Sequence, residues 1–364
     1  MNYGYSYTFP AMRGIQAGRE YFVAMCPLRL LPKLFLFNET ELPPELRAQR
    51  SLNTARIPDI KQYVIDNPKN YAFSAITASM DGDVEFQQAL IDGQSSDVGK
   101  LVISMSARFV INDGQHRRAA IEAVLQEKPE LGDETIAVVF YLDAGLTNCQ
   151  QLFADLNKHA VRPTKSLGVL YDYRDPLACL SRKLMETIPC FKNLTETEKT
   201  TISNRSIKLF TLNGIYQATG RLLKKRKNDL ISPAEDKLAI EFWTEAYNLI
   251  PEWKLAAKRK VTSSELRRDF VHVHNVLLDA LGQIGYELIA QHPENWKNQF
   301  QQLEGLDWSR SNPIWEGRAL LQGQMSKSGQ SVRLTANFLR KHLGLKLSLE
   351  DEKLEQMYSS KQKI

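Results

Sequence analysis

The chain has 364 residues, 43% of them hydrophobic, 24% charged and 9% aromatic, with a formal net charge of +5. These proportions exclude a disordered or fibrous chain, and the length exceeds what one hydrophobic core ordinarily fills, so two domains are expected. The mild positive charge permits nucleic-acid binding without demanding it, because phosphate is held by local clusters rather than by the total.

No apolar run approaches the roughly 18 residues a membrane span needs, and the opening MNYGYSYTFPAMRG lacks the basic, apolar and small-residue order of a signal peptide. A cytoplasmic protein with no membrane partner is expected. Cys26, Cys149, Cys179 and Cys190 are scattered without a C-x-x-C, which reads as buried free thiols and predicts no disulfide framework, metal site or iron–sulfur cluster.

In chain order, YFVAMCPL (21–28), YAFSAITASM (71–80), LVISM (101–105), RFVIND (108–113) and TIAVVFYLD (135–143) are short Val-, Ile-, Phe- and Tyr-rich runs bounded by turn residues, and read as strands. Between the first two, IPDIKQYVIDNP (57–68) spaces Ile57, Ile60, Tyr63 and Val64 at helical intervals, with Pro58 in the first turn and Pro68 past the end. TNCQQLFADLNKHA (147–160) is a helix with Thr147 as its N-cap. Beyond it, 202–227, 232–253, 263–291 and 330–344 all carry helical patterns. The fold class is therefore α+β or α/β in the first half, followed by a mainly α-helical second half. The change of pattern puts a domain boundary between 175 and 195, taken at 180, giving domains 1–180 and 181–364.

The stretch FVINDGQHRRAAIEAV (109–124) is a strand that turns directly into a helix. Such a junction aims backbone N–H groups and the positive end of a helix dipole into the turn. Asp113 is placed to cap the helix, Gly114 permits an unusual backbone path, and Ala119 and Ala120 allow close packing on a sheet. Gln115, His116, Arg117 and Arg118 crowd donors into a first turn where cations oppose the dipole, a conflict that an anion would resolve. The other reading is a plain strand–cap–helix junction with surface charges.

DGQHRRAA resembles the signature of DGQHR-domain proteins, and is similar to the phosphate-binding turns of ParB-type partition proteins and of sulfiredoxin. FADLNKHAVRPTKSLGVLYD (153–172) and RSLNTARIPDIKQYV (50–64) resemble two further DGQHR blocks. SIKLFTLNGIYQAT (206–219) and the stretch 306–345 look like the DndB family of DNA sulfur modification proteins. The resemblance implies an N-terminal ParB/sulfiredoxin-like mixed-sheet domain whose DGQHR turn holds phosphate through Gly114, Gln115, Arg117 and Arg118. Gln115 stands where sulfiredoxin has its catalytic cysteine, so sulfinic-acid reduction is not implied. Asn157, Lys158, Arg50, Asn53 and Arg56 are further candidates for the same pocket, the last three sharing one helical face. The implied role is a negative transcriptional regulator that binds double-stranded DNA at the promoter of its own phosphorothioation operon.

For DNA, the basic clusters are GRLLKKRK (220–227), with Arg221, Lys224, Lys225, Arg226 and Lys227, and KLAAKRK (254–260), with Lys258, Arg259 and Lys260, followed by Arg267 and Arg268. A solvated helix face is the alternative for each. SGQSVRLTANFLRKHLGL (328–345) offers Arg333, Asn337 and Arg340 as a groove-reading helix, or else a packed helix with Val332, Leu334 and Phe338 in the core. His272 and His274 are two apart on a helical pattern, about 200° around it, and read as structural. Trp308 and Trp315 read as covering a seam between domains.

Two rival functions stay open. One is a nucleotide hydrolase binding a nucleoside triphosphate with Mg, with Asp113 or His116 assisting attack by water and Asp155 or Asp172 as a further carboxylate. The other is a scaffold that docks the DNA modification proteins of the same cluster. A homodimer would match a two-fold operator.

Overall fold

The computed structural model describes residues 5–35, 54–144, 148–158, 163–203 and 205–361. By contacts the chain divides into two units, 1–161 and 162–364. Residue 180, where the sequence pattern put the boundary, lies inside a helix of the second unit.

The first unit is built on one mixed sheet. Strands β1 (Ser6–Gln16) and β2 (Arg19–Pro27) form a hairpin, followed by the short helix α1 (Leu31–Leu34), helix α2 (Ile57–Asp66) and strand β3 (Ile76–Asp81). A second hairpin, β4 (Val84–Ile91) and β5 (Gln94–Ser104), leads into β6 (Arg108–Asp113), α3 (Gln115–Glu127), β7 (Thr135–Leu142) and α4 (Cys149–Lys158). The strand order is β4-β5-β1-β2-β7-β3-β6. Every neighbouring pair is antiparallel except β3 with β7.

Register explains the core. Phe22 lies opposite Phe140, Ala24 opposite Val138 and Cys26 opposite Ile136, so the buried residues of β2 and β7 fall on one face. Ile121 of α3 and Leu28, Leu31 and Leu34 complete the cluster on that face.

Two strands were not foreseen from the sequence. β1 contains Pro10 and Gly14, which argue against a strand although Tyr7, Phe9 and Ala11 alternate with exposed residues, and β4 is an edge strand whose residues are only partly buried or exposed. The β4–β5 hairpin did carry a local signal. Asp92 and Gly93 both have positive φ, 50° and 78°, as a two-residue type I′ turn requires.

The second unit is mainly helical: α5 (Lys165–Tyr171), α6 (Pro176–Thr187), the paired β8 (Thr195–Glu196) and β9 (Phe210–Thr211), then α7 (Leu212–Leu223) and α8 (Pro233–Leu249). It continues with α9 (Pro251–Ala257), α10 (Ser263–Asp269), α11 (Asn275–Gln291), α12 (Trp296–Phe300), the hairpin β10 (Leu320–Leu321) and β11 (Gln324–Met325), α13 (Gly329–His342) and α14 (Leu349–Lys361). Ser232 and Glu235 form a capping box at the start of α8, with Pro233 in the first turn. The pattern read over 232–253 is two helices, because Pro251 cannot continue α8 and begins α9 instead. α11 is apolar almost all round and is the centre of the unit, packed on both α7 and α13.

Trp308 and Trp315 stack on each other, with ring centroids 5.5 Å apart, inside this unit's own core rather than over a seam. Their indoles belong to the same cluster as Trp243 and Trp253.

Candidate functional site

At the end of β6, Gly114 takes φ 108°, ψ 12°, a left-handed conformation that glycine alone adopts without strain. A Cβ there would also meet Ile76 and the Arg117 guanidinium at 3.0 Å. Asp113 does not cap α3 as expected. Its carboxylate is drawn sideways, accepting a hydrogen bond from Arg117 Nη2 at 2.9 Å, and the same nitrogen donates to the Ala75 carbonyl at 3.0 Å. Arg118 is buried and pairs with Glu122 at 2.8 Å, one turn along the helix.

Adjacent residues on a helix point about 100° apart, so the two arginines diverge. Arg117 lines a hollow with Asp59, Ile60, Tyr63, Phe73 and Ser74, whereas Arg118 lines another with Ile57, Ile111, Gln115 and Glu122. Gln115 donates to the Ile111 carbonyl at 3.3 Å. Each guanidinium thus has a carboxylate partner already, and the pair does not form one cradle. Below the turn, Asn112 is fully buried; with its amide oriented to satisfy both ends, it accepts from Ser79 N and Oγ and donates to the Cys149 carbonyl.

His116 is held below its ordinary pKa, first by burial, then by the charges of Arg56 and Arg117, with Asp113 opposing them. The structure therefore places Arg56 with the turn. Arg50 and Asn53 lie outside the described residues; Lys158 is exposed near the end of α4, and nothing is described of the Asn157 side chain. Asp155 accepts from Gln151 within α4, and Asp172 pairs with Lys227 in the second unit. Asp113→Asn should lower the His116 pKa further, and Arg117→Gln should raise it. An NMR titration of the imidazole checks both signs; shifts in the reverse order would mean that these charges do not act on His116.

The second unit gathers far more positive charge. Lys224 caps α7 in a left-handed conformation (φ 55°, ψ 37°), Lys225 N–H returns to the Gly220 carbonyl at 2.8 Å, and Arg226 N–H bonds Asp229 at 2.6 Å. This tight reversal fans Lys224, Lys225, Arg226 and Lys227 around the negative end of the α7 dipole. They rim a cleft of about 510 Å³ with Arg221, Gln217 and Tyr216 of α7, Gln283, Tyr286 and Glu287 of α11, and Arg340 of α13.

Several of these cations have partners. Lys225 pairs with Glu235 at 2.9 Å and Lys227 with Asp172 at 3.0 Å. Arg221 Nε lies 3.9 Å from Asp279, a buried carboxyl whose pKa burial raises against the pull of Lys327 and Arg221. The Lys224 ammonium sits 4.9 Å from the centroid of the Tyr286 ring. Among the described residues, Lys224 and Arg226 form no ion pair.

Of the two readings of α13, groove-reading or packed, the structure supports the packed one: Val332 and Leu334 are buried. Asn337 is fully buried, and Arg340 is clamped by both oxygens of Glu287, at 2.7 Å each, and by the Asn337 amide oxygen at 2.6 Å. Arg333 is bound by Asp351 at 2.8 Å. These side chains hold α13 against α11 and α14, so they are not displayed to a base edge. Lys258, Arg259 and Lys260 are exposed at the C-terminal end of α9 and do not line the cleft.

Sequence reasoning missed Tyr286, Gln283 and Glu287. Their signal was the i, i+3, i+4 polar stripe that interrupts an otherwise apolar helix between Val276 and Leu288.

No helix among the described residues is long and apolar enough to cross a membrane. Neither the curated proteins nor the solved structures give a match. The family model DndB, described as DNA-sulfur modification-associated, matches residues 9–346, which takes in the Gly114 turn, the basic cleft and α13. A match over nearly the whole chain places this protein in the DndB family of DNA-sulfur modification-associated proteins.

Proposed function

We propose that the protein is a DNA-binding negative regulator of a DNA phosphorothioation operon and grips duplex DNA with the basic rim of the second unit. The observation that carries this reading is the group of exposed cations Arg221, Lys224, Arg226 and Lys227 at the reversal of Lys224. Cations so placed neutralise successive backbone phosphates and release their counterions, which supplies affinity without sequence information. The exposed Lys258, Arg259 and Lys260 extend the same chemistry to the end of α9. In this reading the sheet unit is the ParB/sulfiredoxin-like module, supported by its strand–Gly114–helix turn, and a homodimer would present two such rims to a two-fold operator.

Fluorescence anisotropy on the protein's own promoter and on a scrambled duplex, across a salt series, tests the proposal. Arg226→Ala should weaken both duplexes about equally and reduce the salt slope by about 1, the signature of one lost phosphate contact. Wild-type protein should prefer its promoter at every salt concentration. Equal affinity for both duplexes throughout would remove the operator-specific role, and an unchanged slope in Arg226→Ala would remove the rim from the interface.

A further inference from the structure

The cleft behind this rim has a shape, and an aromatic and amide lining beside its cations, that phosphate contacts along a duplex do not use. It is concave, and its volume of about 510 Å³ falls in the range of small-molecule sites, about 300–1,000 Å³. Six of its lining side chains are cationic and one is a carboxylate, Glu287, which Arg340 neutralises through two hydrogen bonds. The interior is therefore strongly electropositive but fixed at its floor.

The remaining lining is of another kind. Tyr286 is 36% exposed, and the Lys224 ammonium lies over its ring, 4.9 Å from the centroid. Tyr216 is held in place by donating its hydroxyl hydrogen to Asp175 at 2.7 Å, and Leu177 adds an apolar wall. Among the described residues, the amides of Gln217 and Gln283 have no hydrogen-bond partner, although both reach the cleft and are partly buried. Amides can donate and accept at once, which suits the edge of a heterocycle.

We infer that this cleft is a binding site for a free nucleoside di- or triphosphate. The polyphosphate lies on Lys224, Arg226 and Arg221, the base stacks on Tyr286, and Gln217 and Gln283 meet the base edge. The multiple charge follows from the cations that lack a close carboxylate: Lys224 and Arg226 form no ion pair among the described residues, and Arg221 has only its 3.9 Å approach to Asp279. Phosphate binding draws the Lys224 ammonium off the Tyr286 ring and frees that face for the base. The inference rests on the DNA reading only for its regulatory consequence, since a nucleotide on Lys224 and Arg226 would compete with backbone phosphate for the same cations.

Isothermal titration calorimetry of the full chain with ATP, ADP and inorganic pyrophosphate tests it without DNA. ATP and ADP are expected to bind one per chain. Tyr286→Leu should weaken both by about tenfold, the size of a lost stacking contact, while leaving pyrophosphate unchanged. Lys224→Gln with Arg226→Gln should weaken all three ligands, and Arg117→Gln, at the other unit's turn, should change none. Melting curves matching the wild type establish that the variants fold; for any that does not, displacement of ATP by pyrophosphate in the wild type, expected for a shared phosphate subsite, replaces it as the readout.

Failure of ATP and ADP to bind, equal affinity in Tyr286→Leu, or loss of binding in Arg117→Gln would each overturn the inference. So would a single-stranded oligonucleotide binding tenfold or more tightly than ATP, because the base in the cleft would then belong to a strand. Nucleotide binding without any affinity for duplex DNA would leave this site standing and remove the DNA reading; duplex binding without nucleotide binding would do the reverse.

Discussion

Gly282→Val is expected to lower the stability of the helical unit by roughly 3 kcal/mol, at the upper end of what overpacking costs. α11 crosses α7 at this residue, and a Cβ would lie 2.2 Å from the Ala218 carbonyl oxygen and 3.0 Å from its carbon. Those atoms are helix backbone, so no rotamer change relieves the clash, and the two helices must part. Parting them opens the core, because Ala218, Leu278, Ala280 and Leu281 are all buried. Glycine inside a helix is itself unfavourable by about 1 kcal/mol relative to alanine, so the close crossing outweighs propensity here. Gly168, exposed in α5 with nothing within 4 Å of its would-be Cβ, is the control. Gly168→Ala should stabilise by about 0.5–1 kcal/mol. Urea unfolding followed by tryptophan fluorescence checks both, and an unchanged midpoint in Gly282→Val would show that the helices are not in contact there.

Between pH 6.5 and about 4 the second unit should lose on the order of 3 kcal/mol as His274 is forced to protonate. Burial pushes its pKa down to about 4, and the charges of Arg310, His272 and Arg267 push the same way, against its hydrogen bond to the Arg267 carbonyl. The folded pKa is depressed below the unfolded value of 6.5, so the neutral ring is favoured by folding. Its contribution is fully present above pH 6.5 and disappears as pH falls toward 4.

His272, fully buried, is lowered too, and acts with the same sign. Trp253 Nε1–H donates to its Nδ1 at 3.1 Å, which leaves the ring proton on Nε2, 3.4 Å from Glu252. Glu355, held low by Arg318 and Lys341, and Asp351, held low by Ser348 and Arg333, add losses of the same sign that begin at the acid end of this window. Asp279 has the opposite sign, since its raised pKa favours folding as it protonates. His274→Gln should reduce the slope between pH 6.5 and 4.5 in a series of urea midpoints, leaving the part that His272 contributes. A flat wild-type profile over that range would mean that the imidazole is charged, or solvated, in the native protein.

Local chemistry was legible where one segment sufficed to decide it. The helical pattern that begins at Ser232 reached α8, and Asp113-Gly114 marked the passage from β6 to α3. The fan of cations at the end of α7 was visible as GRLLKKRK. β1 and β4 were not: Pro10 and Gly14 obscured the alternating burial of β1, and β4, at an exposed edge, has no periodic burial for a pattern to report.

The sequence by itself determined the order of structural types, the Gly114 junction and the density of positive charge after Gly220. Only the tertiary structure decided which charges stay available. It spent Arg340 and Asn337 on holding α13, set Arg117 and Arg118 on different hollows with a carboxylate each, and brought Tyr286 and Gln283 across from α11 to face Lys224. The reason is physical: turns, caps and helix starts depend on neighbours within a few residues, whereas the partner of a charge depends on which helix faces meet across more than fifty, as Arg340 meets Glu287.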